Sequence, residues 1–188
     1  RYLSSAASDV YKRQSLRHYG IRTSIYERSP EIITAGAGIQ LSPNANRVLS
    51  RIGVLKEISS VSIRCHGVKV FDYKSNRQLA LFDYMKFKGN DFFYFCHRAD
   101  LVGILYAACQ KLEIPVYFNK KVEKIVNNKA IFSDGEALPA ELIIGADGLH
   151  SNVRKTIADE AKPVFTRQIA WRSIVPVSYT HLRAHETN

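Results

Sequence analysis

Hydrophobic and polar positions alternate along this chain with two different periods, and the period assigns the elements. Over His97–Leu112, Leu101, Ile104, Leu105 and Ala108 fall on one face of a 3.6-residue repeat, which predicts an amphipathic helix. A second helix is expected from Ser42-Pro43, with Val48, Leu49, Ile52 and Leu55 as its apolar face and Gly53 near its end. Ser15–Tyr19 reads as the last turns of another, with Gly20 at the C-cap position. Extended segments lie between: Ile21–Tyr26 as a strand, Gly67–Tyr73 and Gln78–Phe82 as a hairpin, and short strands at Pro115–Phe118, Val122–Val126 and Lys129–Phe132. Asp134-Gly135 supplies a turn. An apolar run, Leu142–Ile144, reads as a strand that enters Gly145-Ala146-Asp147-Gly148 and then a helix carrying Asn152, Val153 and Arg154. Strands interleaved with helices place the chain in the α/β class.

Composition narrows this picture without changing it. A chain of 188 residues, 46% hydrophobic and 23% charged, is ordinary for a globular domain with a real core. No apolar stretch approaches the roughly 20 residues that cross a bilayer, and the N-terminal residues form no apolar signal-peptide core. Cys65, Cys96 and Cys109 are odd in number and lack metal-ligand spacing, so free, buried thiols in a reducing, cytoplasmic setting are expected, with no metal. The formal charge of +10 is spread along the chain; its densest group is Lys120-Lys121 with Lys124 and Lys129. With no helix-turn-helix, zinc-finger or aromatic RNA-binding pattern, this charge reads as a basic surface attractive to anionic small molecules, not as a nucleic-acid interface.

Two stretches carry candidate chemistry. Glu27 ends the strand at Tyr26, where an acidic residue of a dinucleotide fold hydrogen-bonds a ribose; an exposed acid after a strand is the plainer alternative. The glycines of Gly145–Gly148, at a strand-to-helix junction, let backbone amides approach a phosphate, and a tight turn is again the plainer alternative. Gly36 and Gly38 likewise permit a close backbone approach.

The two ends have a different character. One DNA spelling of Asp9–Gln14, reverse-complemented and shifted in frame, encodes Val177–His181. Ser4–Gln14 and Val177–Thr187 together resemble the two translated arms of a transposase-type sequencing adapter. The expected organisation is therefore a non-native tail at 1–14, a partial nucleotide-binding domain at 15–165, the first strand of a second domain at 166–175, and a non-native tail at 176–188. The part between the tails keeps 23 basic and 15 acidic residues, a formal +8.

YERSP (26–30), AGAGIQLSPNANRVL (35–49), HRADL (97–101), IIGADGLHSNVR (143–154) and AWRSIVP (170–176) occur in an order and spacing that resemble the FAD-dependent aromatic-ring monooxygenases of the salicylate and hydroxybenzoate hydroxylase type. The resemblance covers essentially all of Ser15–Val175. It implies a Rossmann-like FAD-binding domain, incomplete because the family's first strand and the G-x-G-x-x-G loop that follows it are missing, the loop falling where this chain reads Ser4–Asp9 with no glycine, followed by the start of a mostly β substrate domain. By position it implies that Glu27 binds the adenosine ribose of FAD, Arg28 lies beside the adenine, Gly38 belongs to the loop near the flavin, Arg98 contacts flavin or pyrophosphate, and Val122 meets the adenine through its backbone. The resemblance also implies that Asp147, with Arg154 downstream, belongs to an element that in the family serves both FAD and the reduced pyridine nucleotide, and that Gln40 occupies a position facing the reaction chamber in the family.

The activity so implied is hydroxylation of a small aromatic substrate, with NADH or NADPH reducing FAD and the reduced flavin activating oxygen. The protein positions ring and cofactor and excludes water. No proton-transfer residue is assigned within this stretch. An epoxidase, halogenase or reductase on the same FAD domain is the alternative within flavin chemistry, and a non-catalytic nucleotide-binding module the alternative outside it. The 188-residue chain by itself is expected to be inactive.

Overall fold

The computed structural model describes residues 23–32, 38–86, 92–158 and 163–169. The chain is α/β. Strand β1 (Ile25–Tyr26) pairs in parallel with β7 (Val116–Tyr117). The Ile25 amide donates to the Pro115 carbonyl and the Glu27 amide to the Tyr117 carbonyl, both at 2.8 Å. β2 (Gly38–Leu41), β6 (Phe93–His97) and β3 (Ile63–Cys65) form an antiparallel sheet in the order β2-β6-β3. β8 (Val122–Val126), β9 (Lys129–Phe132) and β10 (Ala137–Pro139) form another, with β9 central. β4 (Gly67–Phe71) and β5 (Gln78–Asp83) make the expected hairpin. The helices are α1 (Pro43–Arg51), α2 (Leu55–Ser60), α3 (Arg98–Lys111) and α4 (Asn152–Ile157).

α3 forms where its periodicity placed it, one residue shorter at each end, because His97 acts as the N-cap: its Nδ1 accepts from the Ala99 amide at 3.3 Å. Its buried face is Leu101, Val102, Leu105 and Cys109, with Ile104 and Ala108 partly buried beside it. α1 starts at Pro43 as expected but stops at Arg51. Gly53, at φ +78°, turns the chain, and Leu55 opens α2 instead of closing α1. Leu49 is buried and Val48 is not, so the expected face is narrower than the sequence implied.

Ile25 and Tyr26 point to opposite faces of β1, as neighbours in a strand must. Ile25 joins the larger core with Leu41, Leu49, Ile58, Cys96, Leu101, Leu105 and Cys109; Tyr26 joins a second one with Ala130, Phe132 and Leu138. β1 is the wall between them. Full burial of Ile58 and Leu105 contributes about 1.5–3 kcal/mol each. All three cysteines are free and buried. Among the described residues no helix is long and apolar enough to cross a membrane.

Several extended segments differ from expectation. Strand β1 is confined to Ile25–Tyr26 within the described residues, and β7 to two residues of Pro115–Phe118. Leu142–Ile144 forms no strand: a strand needs a neighbour to take its amides and carbonyls, this segment pairs with none of the described strands, and Leu142 is half exposed. β2, β3, β6 and β10 were not anticipated. The β8–β9 connection is an Asn127-Asn128 pair, both at positive φ, the conformation that a tight two-residue hairpin requires. The helix end at Ser15–Tyr19, and the segments 1–14, 33–37 and 170–188, lie outside the described residues.

Candidate functional site

The loop leaving β1, the loop entering β8 and the Gly145–Gly148 turn converge on one pocket. Its lining includes Tyr26, Arg28, Lys120, Lys121, Val122, Gly145, Asp147, His150 and Asn152. These positions come from three remote stretches of sequence. They are brought together by the β1–β7 pairing, by the Lys120 amide donating to the Glu27 carbonyl at 2.8 Å, and by the packing of α4 on β8.

The turn is built around its own carboxylate. Asp147 accepts from the Asn152 amide at 2.7 Å, the Val153 amide at 3.2 Å and the Ser151 hydroxyl; Ser151 in turn accepts from the Arg154 amide at 2.9 Å. Asp147 and Ser151 thereby satisfy the first amides of α4, groups that otherwise lack partners. Partial burial pushes the Asp147 carboxyl up, and the bonds from Ser151, from the Val153, Asp147 and Asn152 amides outweigh it, so the group lies below the usual carboxylate range. The Asn152 and Val153 amides of α4 are thus already engaged by an anion of the protein itself. Gly145 has a steric reason to be glycine, because a Cβ there would stand 2.4 Å from the Val153 Cβ. Gly148 has a conformational one, φ +79°.

Of the six residues assigned from the resemblance, Arg28, Val122 and Asp147 line this pocket. Glu27 stands next to it but is buried, with its Oε1 accepting from the Ser29 amide at 2.9 Å, so the carboxylate shapes the turn after β1. The Val122 carbonyl accepts from the Asn152 side-chain amide at 2.9 Å. Gly38 and Arg98 come together elsewhere: Gly38 pairs with His97 across β2 and β6, and Arg98 begins α3 one residue on. Gly38 is exposed, and a Cβ on it would meet only the Cys96 carbonyl, at 3.9 Å, so nothing described requires glycine there. Gln40 is exposed on β2. Arg154 is exposed and donates to the Leu149 carbonyl at 2.6 Å.

The sequence reading did not place Tyr26, Lys120, Lys121, His150 or Asn152 in the site. Lys120-Lys121 stands out in the sequence within the densest basic group, but only the fold brings it to the same pocket as Arg28. Lys120 donates to Asp134 and Glu136, which raises its pKa, chiefly through the Asp134 bond, and lowers that of Asp134. Arg28 and Lys121 are exposed cations at the pocket, and Tyr26 stacks on Tyr117 with ring centroids 5.0 Å apart. Cations beside an aromatic wall, with the one carboxylate committed to amides, suit a phosphate-bearing nucleotide. The amides of α4 take no part in that fit, because Asp147 and Ser151 already engage them. Among the described residues no group of His, Cys, Asp and Glu is arranged to hold a metal ion.

The fold and this pocket define a nucleotide-binding α/β protein. A sequence profile of the FAD binding domain family matches residues 12–185, and the chain belongs to that family. It is 31% identical over 170 residues to 3-hydroxybenzoate 6-hydroxylase 1 of Aquipseudomonas alcaligenes, covering 86% of this chain and 43% of that protein. It is 29% identical over 167 residues to 6-hydroxynicotinate 3-monooxygenase of Bordetella bronchiseptica, covering 84% of this chain and 42% of that one. The structure of 2-methyl-3-hydroxypyridine-5-carboxylic acid oxygenase superposes with a TM-score of 0.73 at 24% identity, over 84% of this chain and 42% of that chain, and shows the same fold. The chain thus spans about two-fifths of the length of the relatives it matches.

Proposed function

We propose that this chain is part of an FAD-dependent monooxygenase that hydroxylates a small aromatic substrate, with NADH or NADPH as reductant. The carrying observation is that Arg28, Val122 and Asp147, far apart in sequence and assigned to FAD from motif positions, line one pocket. Relatives named as hydroxylases or monooxygenases of hydroxybenzoate and hydroxynicotinate support the reaction class. In this reading FAD lies with its adenosine side at the β1–β8–α4 pocket. Arg28 and Lys121 attract its phosphates, Val122 offers backbone to the adenine, and Glu27 holds the turn that presents Arg28. Gly38 and Arg98, at the β2–β6 junction, face the flavin side. FAD supplies the redox and oxygen-activating chemistry; these residues bind and orient it. Residues 15–165 form the partial FAD domain, 166–175 begin the substrate domain, 1–14 and 176–188 are adapter-derived, and the parent enzyme is cytoplasmic.

The test is a panel of hydroxylated aromatic acids added to the complete protein of the gene, with nicotinamide oxidation and product formation followed together. Stimulated oxidation with a hydroxylated product supports the reading. Flavin binding without stimulation by any aromatic compound points to the epoxidase, halogenase or reductase alternative.

A further inference from the structure

We infer that Asn152 is a positioning residue that holds the adenosine pocket at its working width; this rests on the proposed FAD site. Asn152 is the first residue of α4 and bonds in three directions. Its amide donates to Asp147 at 2.7 Å, its side-chain Nδ2 donates to the Val122 carbonyl at 2.9 Å, and its Oδ1 accepts from Lys155 Nζ at 2.9 Å. The first bond joins it to a turn that has little freedom. Asp147 grips two amides of α4, and Gly145 lies so close to Val153 that no Cβ would fit. The second bond joins that turn to the first residue of β8.

Val122 and Asn152 both line the pocket, so this bond spans one of its walls, with Tyr26 and Arg28 among the other lining residues. At Val122 the β8–β9 register is irregular: Val122 pairs with Phe132, and the next pair is Lys124 with Ile131. A strand start at a bulge is the least constrained part of a ladder, which gives a side-chain tie to its carbonyl something to fix. Lys155, on the same helix face three residues on, holds the Asn152 amide with its Nδ2 toward Val122 and its Oδ1 outward.

The role is separable from a share in stability because it acts on one half of the cofactor. The experiment uses the complete protein, freed of flavin, with FAD and ADP as probes. Asn152→Ala should weaken ADP and FAD binding by about fivefold, the worth of one net neutral hydrogen bond, while the visible spectrum of bound flavin stays that of the wild type. Asn152→Asp keeps the acceptor for Lys155 but turns a carboxylate toward the Val122 carbonyl, and should weaken ADP at least as much. ADP binding equal to wild type in both variants overturns the inference. So does Asn152→Asp binding like wild type while Asn152→Ala does not, which would assign the effect to the Lys155 bond. A flavin spectrum altered in parallel with ADP affinity would show a general structural defect and also overturns it. Failure of the wild-type protein to bind either nucleotide would remove the FAD reading itself, a result distinct from loss of the Asn152 role alone.

Discussion

Replacing glycine by alanine should have opposite signs at two positions of this chain. At Gly145 a Cβ would lie 2.4 Å from the Val153 Cβ, 2.6 Å from its Cγ1 and 3.0 Å from its Cγ2. Val153 is 5% exposed, and its helix start is fixed by Asp147 and Ser151, so it has little room to retreat. Forcing a methyl into a packed contact costs about 1–3 kcal/mol, and Gly145→Ala is expected in that range. Gly103 lies within α3, is exposed, and its added Cβ would meet nothing within 4 Å. There the substitution removes only the entropic cost of a helical glycine, so Gly103→Ala should stabilise by about 0.5–1 kcal/mol. Denaturant midpoints followed by far-UV circular dichroism, at constant m, measure both. Adding Val153→Ala to Gly145→Ala should recover part of the loss, because two of the three close atoms go and the Cβ remains. If Gly145→Ala is neutral, or Val153→Ala makes it worse by the full single-mutant cost, the close packing of turn on helix is not what holds the pocket wall.

Asp147→Ala should cost about 0.5–2 kcal/mol of stability as a lost helix cap, read from the same midpoints. The Asp147 pKa is depressed in the folded chain, so its contribution is complete above the ordinary aspartate value of about 3.9 and is lost as pH falls through the folded value. Asp147→Asn should therefore flatten the acid limb of stability against pH and leave its slope near neutrality unchanged; an unaltered acid limb would contradict this. In the complete protein, Glu27→Ala should weaken FAD by roughly 1–3 kcal/mol through the lost bond to the Ser29 amide that holds the turn presenting Arg28, Arg98→Ala similarly through its lost charge-assisted bond, and Glu123→Ala, an exposed control on β8, by no more than about half a kilocalorie. Flavin titration of the three ranks them, and equal affinities would remove the first two assignments. The 188-residue chain alone should retain no flavin after desalting; stoichiometric visible absorbance would refute that.

Local patterns were legible and shared ones were not. α3 and the β4–β5 hairpin follow from periodicities carried within a dozen or so residues, and both formed where expected. Leu142–Ile144 has the composition of a buried strand, yet a strand is a property of two segments, and this one pairs with none of the described strands. The turn at Gly145–Gly148 was correctly read as a junction where glycines matter. That Asp147, within the motif itself, answers the first amides of α4 was not legible from the sequence. Arg28, Val122 and Asp147 were named individually from motif positions; that they share a pocket with Lys121 and Asn152 depends on the parallel pairing of β1 with β7, which no local pattern announces.

The central claim, an FAD-binding monooxygenase, is tested most directly in the complete protein encoded around this chain. Purified and desalted, it should carry about one flavin per polypeptide, and NADH or NADPH should reduce that flavin faster when a hydroxylated aromatic acid is present. A complete protein that is colourless after reconstitution with excess FAD, or whose flavin reduction no aromatic compound accelerates, would contradict the account.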